Sequence, residues 1–304
     1  TVMEFVTFKK SLPREPIVEV DNLPWPKIGS GKVREIFDLG DNLLIIATDR
    51  LSAFDVVLPE GIPAKGIILT QLSLYWFKES QQIIENHLVE NHEESLKDLL
   101  ADYPHLIARS MLVKKLDPLP VEAVVRGYLS GSGWKSYQED GSLFGQALPE
   151  GLEESARLPN LFFTPTTKAM IEHDEAISLT QCEEILGGKI YSEVLTTSMA
   201  IYQLGVNYAK NANIILADTK FEFGLDGQGK LFLIDEILTP DSSRYWPESE
   251  YKTGRSQPSY DKQYVRDYLE TLDWDKKTPG PHLPESVVAG TQKRYLTALE
   301  LLIS

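Results

Sequence analysis

The chain has 304 residues, of which 42% are hydrophobic, so it is long enough for more than one hydrophobic core. Thirty basic and 45 acidic residues give a formal charge of −15, which argues against nucleic acid as a general partner but leaves room for small anions. The single cysteine, Cys182, excludes an internal disulfide, and no apolar run reaches membrane-spanning length. We therefore expect a cytoplasmic protein of two domains, with neither a secretory signal nor a membrane partner.

The first third of the chain is predicted to be rich in strands. Four prolines between residues 13 and 26 predict an irregular N-terminal segment. Apolar runs predict strands on both sides of a Gly-rich turn within 28–37, and over 43–48, 56–58 and 111–116. Residues 66–100 show a rough helical period, and Thr70 is a plausible N-cap for that helix.

Helices and one hairpin are predicted to dominate the rest of the chain. The predicted elements are a strand over 122–125, a helix capped by Ser178 or Thr180, a long helix over 191–211, a hairpin, and helices over 260–272 and 285–303. This order of elements predicts an α+β fold with a domain boundary near residues 115–120.

A β-hairpin is predicted where the apolar runs 214–216 and 231–234 flank the turn-rich segment 226–229. Because side chains alternate along a strand, three polar side chains share one face of the first strand, namely Asp218, Lys220 and Glu222. Asp235 closes the apolar return strand, so the sequence predicts a group of charged side chains on this hairpin.

Two registers of the hairpin bring Glu222 close to Asp235. A turn centred between Gln228 and Gly229 places them opposite each other, whereas a four-residue loop over 226–229 makes them diagonal neighbours. Like charges that face each other are unfavourable unless a cation compensates, and magnesium prefers such hard oxygen ligands. A solvated sheet face is the alternative, but the combination of Asp-x-Lys-x-Glu with Asp235 favours a metal site.

A Gly-rich segment at residues 29–34 offers backbone N–H groups followed by two cations, which is how a loop binds phosphates. It is not a Walker P-loop, because Val33 stands where Ser or Thr would coordinate magnesium, and it lacks the third glycine of a dinucleotide fingerprint. An ordinary hairpin turn is the alternative interpretation of this pattern.

Two arginines are placed to bind an anion. Arg126 ends a predicted buried strand and enters a loop of small residues, Ser130-Gly131-Ser132, which lets backbone approach a ligand closely. Its guanidinium can clamp a carboxylate or phosphate through two parallel bonds, or it can simply end a strand in solvent. Arg244 follows the hairpin and can either neutralise a bound anion or form a salt bridge with a hairpin acid.

A polar cluster at residues 164–168 and 172–175 lies between structured elements. His173 stands beside three acidic residues in this cluster. One histidine without a second at ligand spacing argues against a metal site. The sequence instead predicts a loop that positions substrate, or an acidic helix start.

Two long segments, Leu119–Ser132 and Leu216–Gly224, resemble the two signature segments of the SAICAR synthetase family of purine biosynthesis. Shorter matches follow the order and spacing of that family, namely Gly31-Lys32, Ser52-Ala53, Lys114–Asp117, His173-Asp174 and Asp241–Arg244. The resemblance runs from about Gly29 to Trp246, and residues 259–262 are similar to the longer form found in fungi and some bacteria. Arg34 departs from the pattern, because shorter members often have lysine there.

The resemblance implies an α+β fold with ATP held between an N-terminal antiparallel β-rich domain, residues 1–116, and a larger α+β domain, residues 117–304. It implies an ATP-dependent ligase that joins the carboxylate of carboxyaminoimidazole ribonucleotide (CAIR) to the amine of L-aspartate, releasing ADP and phosphate. ATP would convert the carboxylate to an acyl phosphate, a step that needs Mg²⁺ and positioned cations. The partners are small molecules, and we expect a monomer or a small homo-oligomer.

The resemblance also implies roles for the residues that match its motifs. ATP would be bound by Ser30, Gly31, Lys32, Val33, Arg34, Lys114, Leu116 and Glu122. Magnesium would be bound by Glu222 and Asp235. The nucleotide substrate would be bound by Arg126 and Ser132, with Asp218, Lys220 and Arg244 at the centre of the chemistry. Substrate or aspartate would be oriented by Arg50, Ser52, Asp55 and Lys168.

Two other classes of protein share parts of this pattern. A small-molecule kinase would use the same ATP machinery, and a non-catalytic nucleotide-binding protein could share the fold, because fold alone does not prove activity. The intact Asp-x-Lys-x-Glu pattern and Asp235 argue against the non-catalytic protein. Release of ADP with CAIR, measured with and without aspartate, distinguishes a ligase from a kinase.

Overall fold

The structure of the protein, a computed structural model, describes residues 2–168 and 175–303. These residues form two compact units. The first unit comprises the chain up to Tyr75, His87–Lys115 and the chain from Tyr260 on, and the second comprises Trp76–Asn86 and the described part of Leu116–Ser259. The predicted domains, 1–116 and 117–304, stay a prediction, and the two units differ from them in placing the C-terminal segment in the first unit.

Helices and antiparallel strands are mixed along the chain, which confirms the predicted α+β class. The helices are α1 Val2–Ser11, α2 Lys65–Glu79, α3 His92–Leu99, α4 Ser132–Asp140, α5 Leu179–Leu186, α6 Gly188–Asn211, α7 Gln263–Leu269 and α8 Glu285–Ile303. Short 3-10 helices cover Pro104–Arg109 and Glu248–Glu250. Among the described residues, no helix combines the length and apolarity needed to cross a membrane.

The strands range in length from two to 12 residues. They are β1 Lys27–Ser30, β2 Arg34–Asp38, β3 Asn42–Ala47, β4 Ser52–Ala53, β5 Val56–Val57, β6 Ser110–Lys114, β7 Asp117–Pro118, β8 Val121–Tyr128, β9 Ser142–Leu143, β10 Gln146–Ala147, β11 Arg157–Phe163, β12 Thr166–Thr167, β13 Glu175–Ala176, β14 Ile214–Leu225, β15 Leu231–Ile234 and β16 Ser243–Pro247.

The first unit is built on a four-stranded antiparallel sheet in the order β1-β2-β3-β6. Burial alternates along β3, where Leu44 and Ile46 are fully buried, because successive side chains of a strand point to opposite faces. These two residues pack with Phe37 of β2 and Leu96 of α3 in one core. The Gly-rich segment is the turn that joins β1 to β2, and this core holds β2 through Phe37.

The second unit is built on an eight-stranded sheet, at whose centre β8 and β14 pair antiparallel. Helix α6 packs against this sheet, and the buried Tyr202 hydroxyl donates to the carbonyl oxygen of Leu216 at 2.7 Å. Gly127 on β8 permits this approach, because a Cβ at that position would lie 2.3 Å from the Tyr202 hydroxyl oxygen. Phe221 and Phe223, which alternate with the charged residues along β14, are buried in the core.

Three local predictions have different outcomes. The prediction of an irregular N-terminal segment over residues 1–26 is wrong for residues 2–11, which form α1, and is confirmed for residues 12–26, which contain neither helix nor strand. The helix predicted over 66–100 is two helices, and Thr70 is a buried residue inside α2 rather than its N-cap. Ser178 is confirmed as the cap of α5, since its hydroxyl accepts from the Gln181 N–H at 3.1 Å and the Gln181 side chain bonds back to the Ser178 N–H.

Candidate active site

Three charged side chains lie side by side across neighbouring strands of the second unit. Arg126 on β8 and Arg244 on β16 are both cross-strand partners of Asp218 on β14. Arg244 Nη1 donates to Asp218 Oδ2 at 2.7 Å, and Arg126 Nη1 lies 3.7 Å from the same oxygen. We call these three residues the arginine row. The salt bridge that the sequence left as an alternative for Arg244 is therefore present.

The guanidinium of Arg126 is buried and held in one orientation. Its Nε donates to Thr164 Oγ1 at 2.9 Å, and its Nη2 donates to Ser132 Oγ at 3.1 Å. Burial lowers the pKa of Arg126 to about 10, with Asp218 opposing the shift and the nearby Arg244 adding to it. The guanidinium thus stays charged at neutral pH but is poorly hydrated, which strengthens its attraction for an anion.

The arginine row has one positive charge more than its carboxylate neutralises. Ser132 is the first residue of α4, and the N-terminal end of a helix favours negative charge. Gly131 precedes it with φ 57° and ψ −129°, and a Cβ there would lie 2.3 Å from Arg244 Nη2. Glycine is what allows Arg244 to reach Asp218 beside this helix end, and the group as a whole is suited to bind an anion.

A second group of charged side chains lies further along β8 and β14. Lys220 Nζ donates to Glu122 Oε1 at 2.6 Å and lies 3.9 Å from Glu222 Oε1. Lys168 Nζ donates to the other oxygen of Glu222, and Asp235 follows the end of β15. We call Glu122, Lys168, Lys220, Glu222 and Asp235 the carboxylate–lysine cluster.

The charges of this cluster oppose and support one another. Burial alone would lower the pKa of Lys220, but the carboxylates of Glu122 and Glu222, with Asp235 behind them, outweigh it and raise that pKa. Burial and the charge of Asp235 raise the pKa of Glu222, although Lys168 and Lys220 counteract them. Lys220 is therefore a firmly protonated ammonium, and Glu222 is a carboxylate in need of a cation.

Neither predicted register of the hairpin is observed. Leu225 pairs with Leu231, so the loop spans five residues, and Glu222 lies opposite Ile234. In a regular strand Asp235 would then face the other side of the sheet, but its φ of 70° breaks the alternation at the end of β15. The charge of Asp235 is nevertheless felt at Glu222, whose pKa it raises.

The donor set of this cluster fits magnesium if phosphates complete it. Within residues 2–168 and 175–303, no three side chains of His, Cys, Asp or Glu are grouped to hold a metal. Magnesium, however, is commonly bound by one or two carboxylates together with the phosphates of a nucleotide. Glu222 and Asp235 supply two such carboxylates, whose repulsion a divalent cation would relieve. Of the predicted polar cluster, residues 172–174, which include His173, lie outside the described residues.

In the first unit, one arginine holds the Gly-rich loop. The five N–H groups of Arg50 donate to the carbonyl oxygens of Val18, Gly31, Lys32 and Arg34 and to Glu35 Oε1, over 2.6 to 3.4 Å. Glu35 is only 1% exposed, so this anchor is rigid. Because the donors of Arg50 are all used, its geometry favours a role in shaping the loop over the predicted contact with substrate.

The remaining predicted ATP- and substrate-binding residues are distributed over both units. The first unit contains Ser30, Gly31, Lys32, Val33, Arg34, Ser52, Asp55 and Lys114, and the second contains Leu116 and Glu122. Lys32 Nζ donates to Asp55, which lies in the turn between β4 and β5 with a φ of 63°. Glu122, which was predicted to bind ATP, instead bonds Lys220 and Thr166 in the carboxylate–lysine cluster.

Three hydroxyl groups contact this site although no specific role was predicted for them. Ser130 Oγ donates to Asp218 Oδ2 at 3.3 Å, Thr164 holds Arg126, and Thr166 Oγ1 donates to Glu122 Oε2 at 3.0 Å. The last contact depends on the pairing of β12 with β8, which joins segments more than 40 residues apart. Only the polar composition of residues 164–168 hinted at these contacts.

A buried anion site next to a two-carboxylate site on one sheet is typical of enzymes that act on phosphorylated small molecules. A family model described as SAICAR synthetase matches residues 27–281. The chain belongs to the SAICAR synthetase family, and the enzymes of that family are ligases.

Relatives in other organisms support this assignment. The phosphoribosylaminoimidazole-succinocarboxamide synthases of Desulfosudis oleivorans and Thermodesulfovibrio yellowstonii are each 54% identical over 90% of this chain and 94% of their own length. A solved SAICAR synthase from Saccharomyces cerevisiae, complexed with SAICAR, is 40% identical and superposes with a TM-score of 0.86 over 94% of this chain and 97% of its own. A SAICAR synthetase in complex with ADP is 23% identical with a TM-score of 0.66, a likeness that shows the fold alone.

Proposed function

We propose that this protein joins the carboxylate of CAIR to the amine of L-aspartate at the expense of ATP, by way of an acyl phosphate. The products are phosphoribosylaminoimidazole-succinocarboxamide (SAICAR), ADP and phosphate. The observation that carries this proposal is the arginine row on the same two central strands as the carboxylate–lysine cluster. One group is suited to hold a phosphorylated substrate, and the other is suited to hold the metal of a nucleotide.

The phosphate of CAIR binds at the arginine row. Arg126 and Arg244 share a single carboxylate, so a dianion adds attraction without displacing Asp218. Ser132 Oγ already contacts Arg126 and stands at the start of α4, where it can turn its hydroxyl to the phosphate. Asp218 holds the two guanidiniums beside one carboxylate oxygen, so we assign it the role of an orienting group rather than a nucleophile.

The carboxylate of CAIR is a poor electrophile until it is phosphorylated. One carboxylate oxygen attacks the γ-phosphorus of ATP, the bond to the β–γ bridging oxygen breaks, and ADP leaves. The amine of aspartate then attacks the acyl carbon, loses a proton, and expels phosphate. Lys220, a firmly protonated ammonium beside Glu122 and Glu222, stabilises the negative charge that builds up on the transferring group.

Magnesium fits the carboxylates of Glu222 and Asp235. Bound there with ATP, it would neutralise charge on the phosphates and help to align the γ-phosphoryl group. Without the metal, the negative charges of Glu222 and Asp235 repel each other in a partly buried site. The raised pKa of Glu222 reflects the energetic cost of this repulsion and of burial. This cost explains why two lysines accompany them in the protein.

The Gly-rich loop binds the phosphates of ATP. Its backbone from Ser30 to Arg34 is held by Arg50, and Lys32 and Arg34 follow its glycines. Lys114 and Leu116 flank the adenine, and Ser52, Asp55 and Lys168 orient aspartate or CAIR. A cytoplasmic location and a monomer or small homo-oligomer remain our predictions.

Nucleotide turnover with CAIR tests this proposal. We expect ADP and phosphate to be released together when CAIR, Mg²⁺-ATP and aspartate are all present, with SAICAR formed in equal amount. A kinase would instead consume ATP without aspartate and would accumulate a phosphorylated product. That outcome would contradict the proposed reaction, and so would a rate of ATP consumption that is the same with and without CAIR.

A further inference from the structure

The carboxylates of Glu222 and Asp235 are partly neutralised in this structure by two ammonium groups. Lys168 Nζ donates directly to Glu222 Oε2, and Lys220 Nζ lies 3.9 Å from Glu222 Oε1. The Glu222 side chain is only 16% exposed, so water contributes little to its stabilisation. The ammonium of Lys168 therefore binds an oxygen that a metal would need.

The two lysines differ in how firmly they are held. Lys220 sits on β14 in the middle of the sheet and has a second carboxylate partner, Glu122, at 2.6 Å. Lys168 directly follows the two-residue strand β12, and within residues 2–168 and 175–303 its ammonium pairs with Glu222. Glu122 is itself held by Thr166, which anchors Lys220 further. Of the two, Lys168 is the lysine that can leave at low cost.

We propose that the ammonium of Lys168 occupies the cation position beside Glu222 and yields it to the metal ion. This inference rests on the proposed function, because it takes Glu222 and Asp235 as the metal ligands. A metal ion beside Glu222 and the ammonium of Lys168 repel each other, so each weakens the binding of the other to this carboxylate. Metal binding therefore releases Lys168, which becomes available to an anionic substrate, and loss of Lys168 favours the metal.

Metal affinity without nucleotide tests this competition. Mn²⁺ alone serves as the probe, titrated against the whole protein at one fixed pH and followed by electron paramagnetic resonance. Lys168→Met should tighten Mn²⁺ binding about three- to tenfold, the effect of removing one competing ion pair. The control is Lys230→Met, which removes an exposed lysine paired with Glu85 in the same unit and should leave the affinity unchanged.

Amine acylation provides a second measurement that needs no variant. In the wild-type protein, Mn²⁺ should raise the rate at which an acylating reagent modifies Lys168, measured by peptide mass spectrometry, while Lys230 is unaffected. The inference would be overturned if Lys168→Met binds Mn²⁺ with unchanged affinity, or if the rate of acylation of Lys168 is the same with and without Mn²⁺.

The same titration separates this inference from the proposed function. Glu222→Gln should weaken Mn²⁺ binding whatever Lys168 does. If Glu222→Gln leaves the affinity intact, the metal assignment itself fails. If Glu222→Gln weakens binding but Lys168→Met does not strengthen it, the metal site stands and the competition is wrong.

Discussion

Gly131 offers the sharpest test of the arginine row. The residue has φ 57° and ψ −129°, and an added Cβ would lie 2.3 Å from Nη2 and 2.8 Å from Cζ of Arg244. A Cβ atom does not come this close to a non-bonded heavy atom in folded proteins, so Gly131→Ala must displace the guanidinium of Arg244. The displacement breaks its 2.7 Å bond to Asp218 and removes it from the anion site.

The size of this effect can be worked out from its parts. A non-glycine residue in this region of backbone space costs about 1–3 kcal/mol of stability. Loss of one charge-assisted hydrogen bond to the bound anion costs about 1.5–3 kcal/mol, which corresponds to roughly a ten- to hundredfold loss in kcat/KM for CAIR. The kcat/KM for ATP at saturating CAIR should change less, because the Gly-rich loop is untouched.

The matched control is Gly141→Ala at the other end of α4. Gly141 also has a positive φ, 75°, but nothing lies within 4 Å of the Cβ that it would acquire. Both variants place an alanine at a positive φ and should lose stability in chemical denaturation, while only Gly131→Ala should lose activity with CAIR. If both variants lose activity with CAIR to the same extent, or if neither loses any, the reasoning that Gly131 makes room for Arg244 is refuted.

Three further substitutions test separate parts of the structure. Arg126→Lys should lower kcat/KM for CAIR by tenfold or more, because an ammonium cannot reproduce the bonds to Thr164 and Ser132 while gripping an anion; steady-state kinetics with unchanged CAIR affinity and turnover would contradict this. Arg50→Lys should raise KM for ATP severalfold with little change in KM for CAIR, since it loosens the Gly-rich loop; the reverse pattern would indicate a direct substrate contact instead. Ser178→Ala should lower the free energy of unfolding by about 0.5–2 kcal/mol, because the capping box is lost, and should leave the kinetic constants unaffected. An unchanged free energy of unfolding in urea denaturation would contradict this prediction.

The sequence predicted the elements whose signals are local. The last helix, the long helix before the hairpin and the Ser178 cap depend on period and capping chemistry within a few residues. The Gly-rich turn and the hairpin acids are local in the same sense. The helix α1 was missed because the nearby prolines dominated the interpretation of a segment that ends before the first of them.

The parts of the site that could not be predicted depend on long-range pairing. Asp218 lies between Arg126 and Arg244 because β14 pairs with β8 on one side and β16 on the other, which no local pattern fixes. The hairpin register depends on a five-residue loop, and the left-handed backbone of Asp235 ends the regular alternation of the return strand. The use of Glu122 as a partner of Lys220 follows from the same pairing.

The fate of the carboxylate oxygens of CAIR tests the central claim most directly. CAIR labelled with heavy oxygen in its carboxylate is turned over with Mg²⁺-ATP and aspartate, and the released phosphate is analysed by mass spectrometry. If an acyl phosphate forms, the attacking oxygen leaves with the phosphoryl group, so each phosphate carries one labelled oxygen and SAICAR keeps the other. Phosphate free of label in a reaction that makes SAICAR would contradict this account.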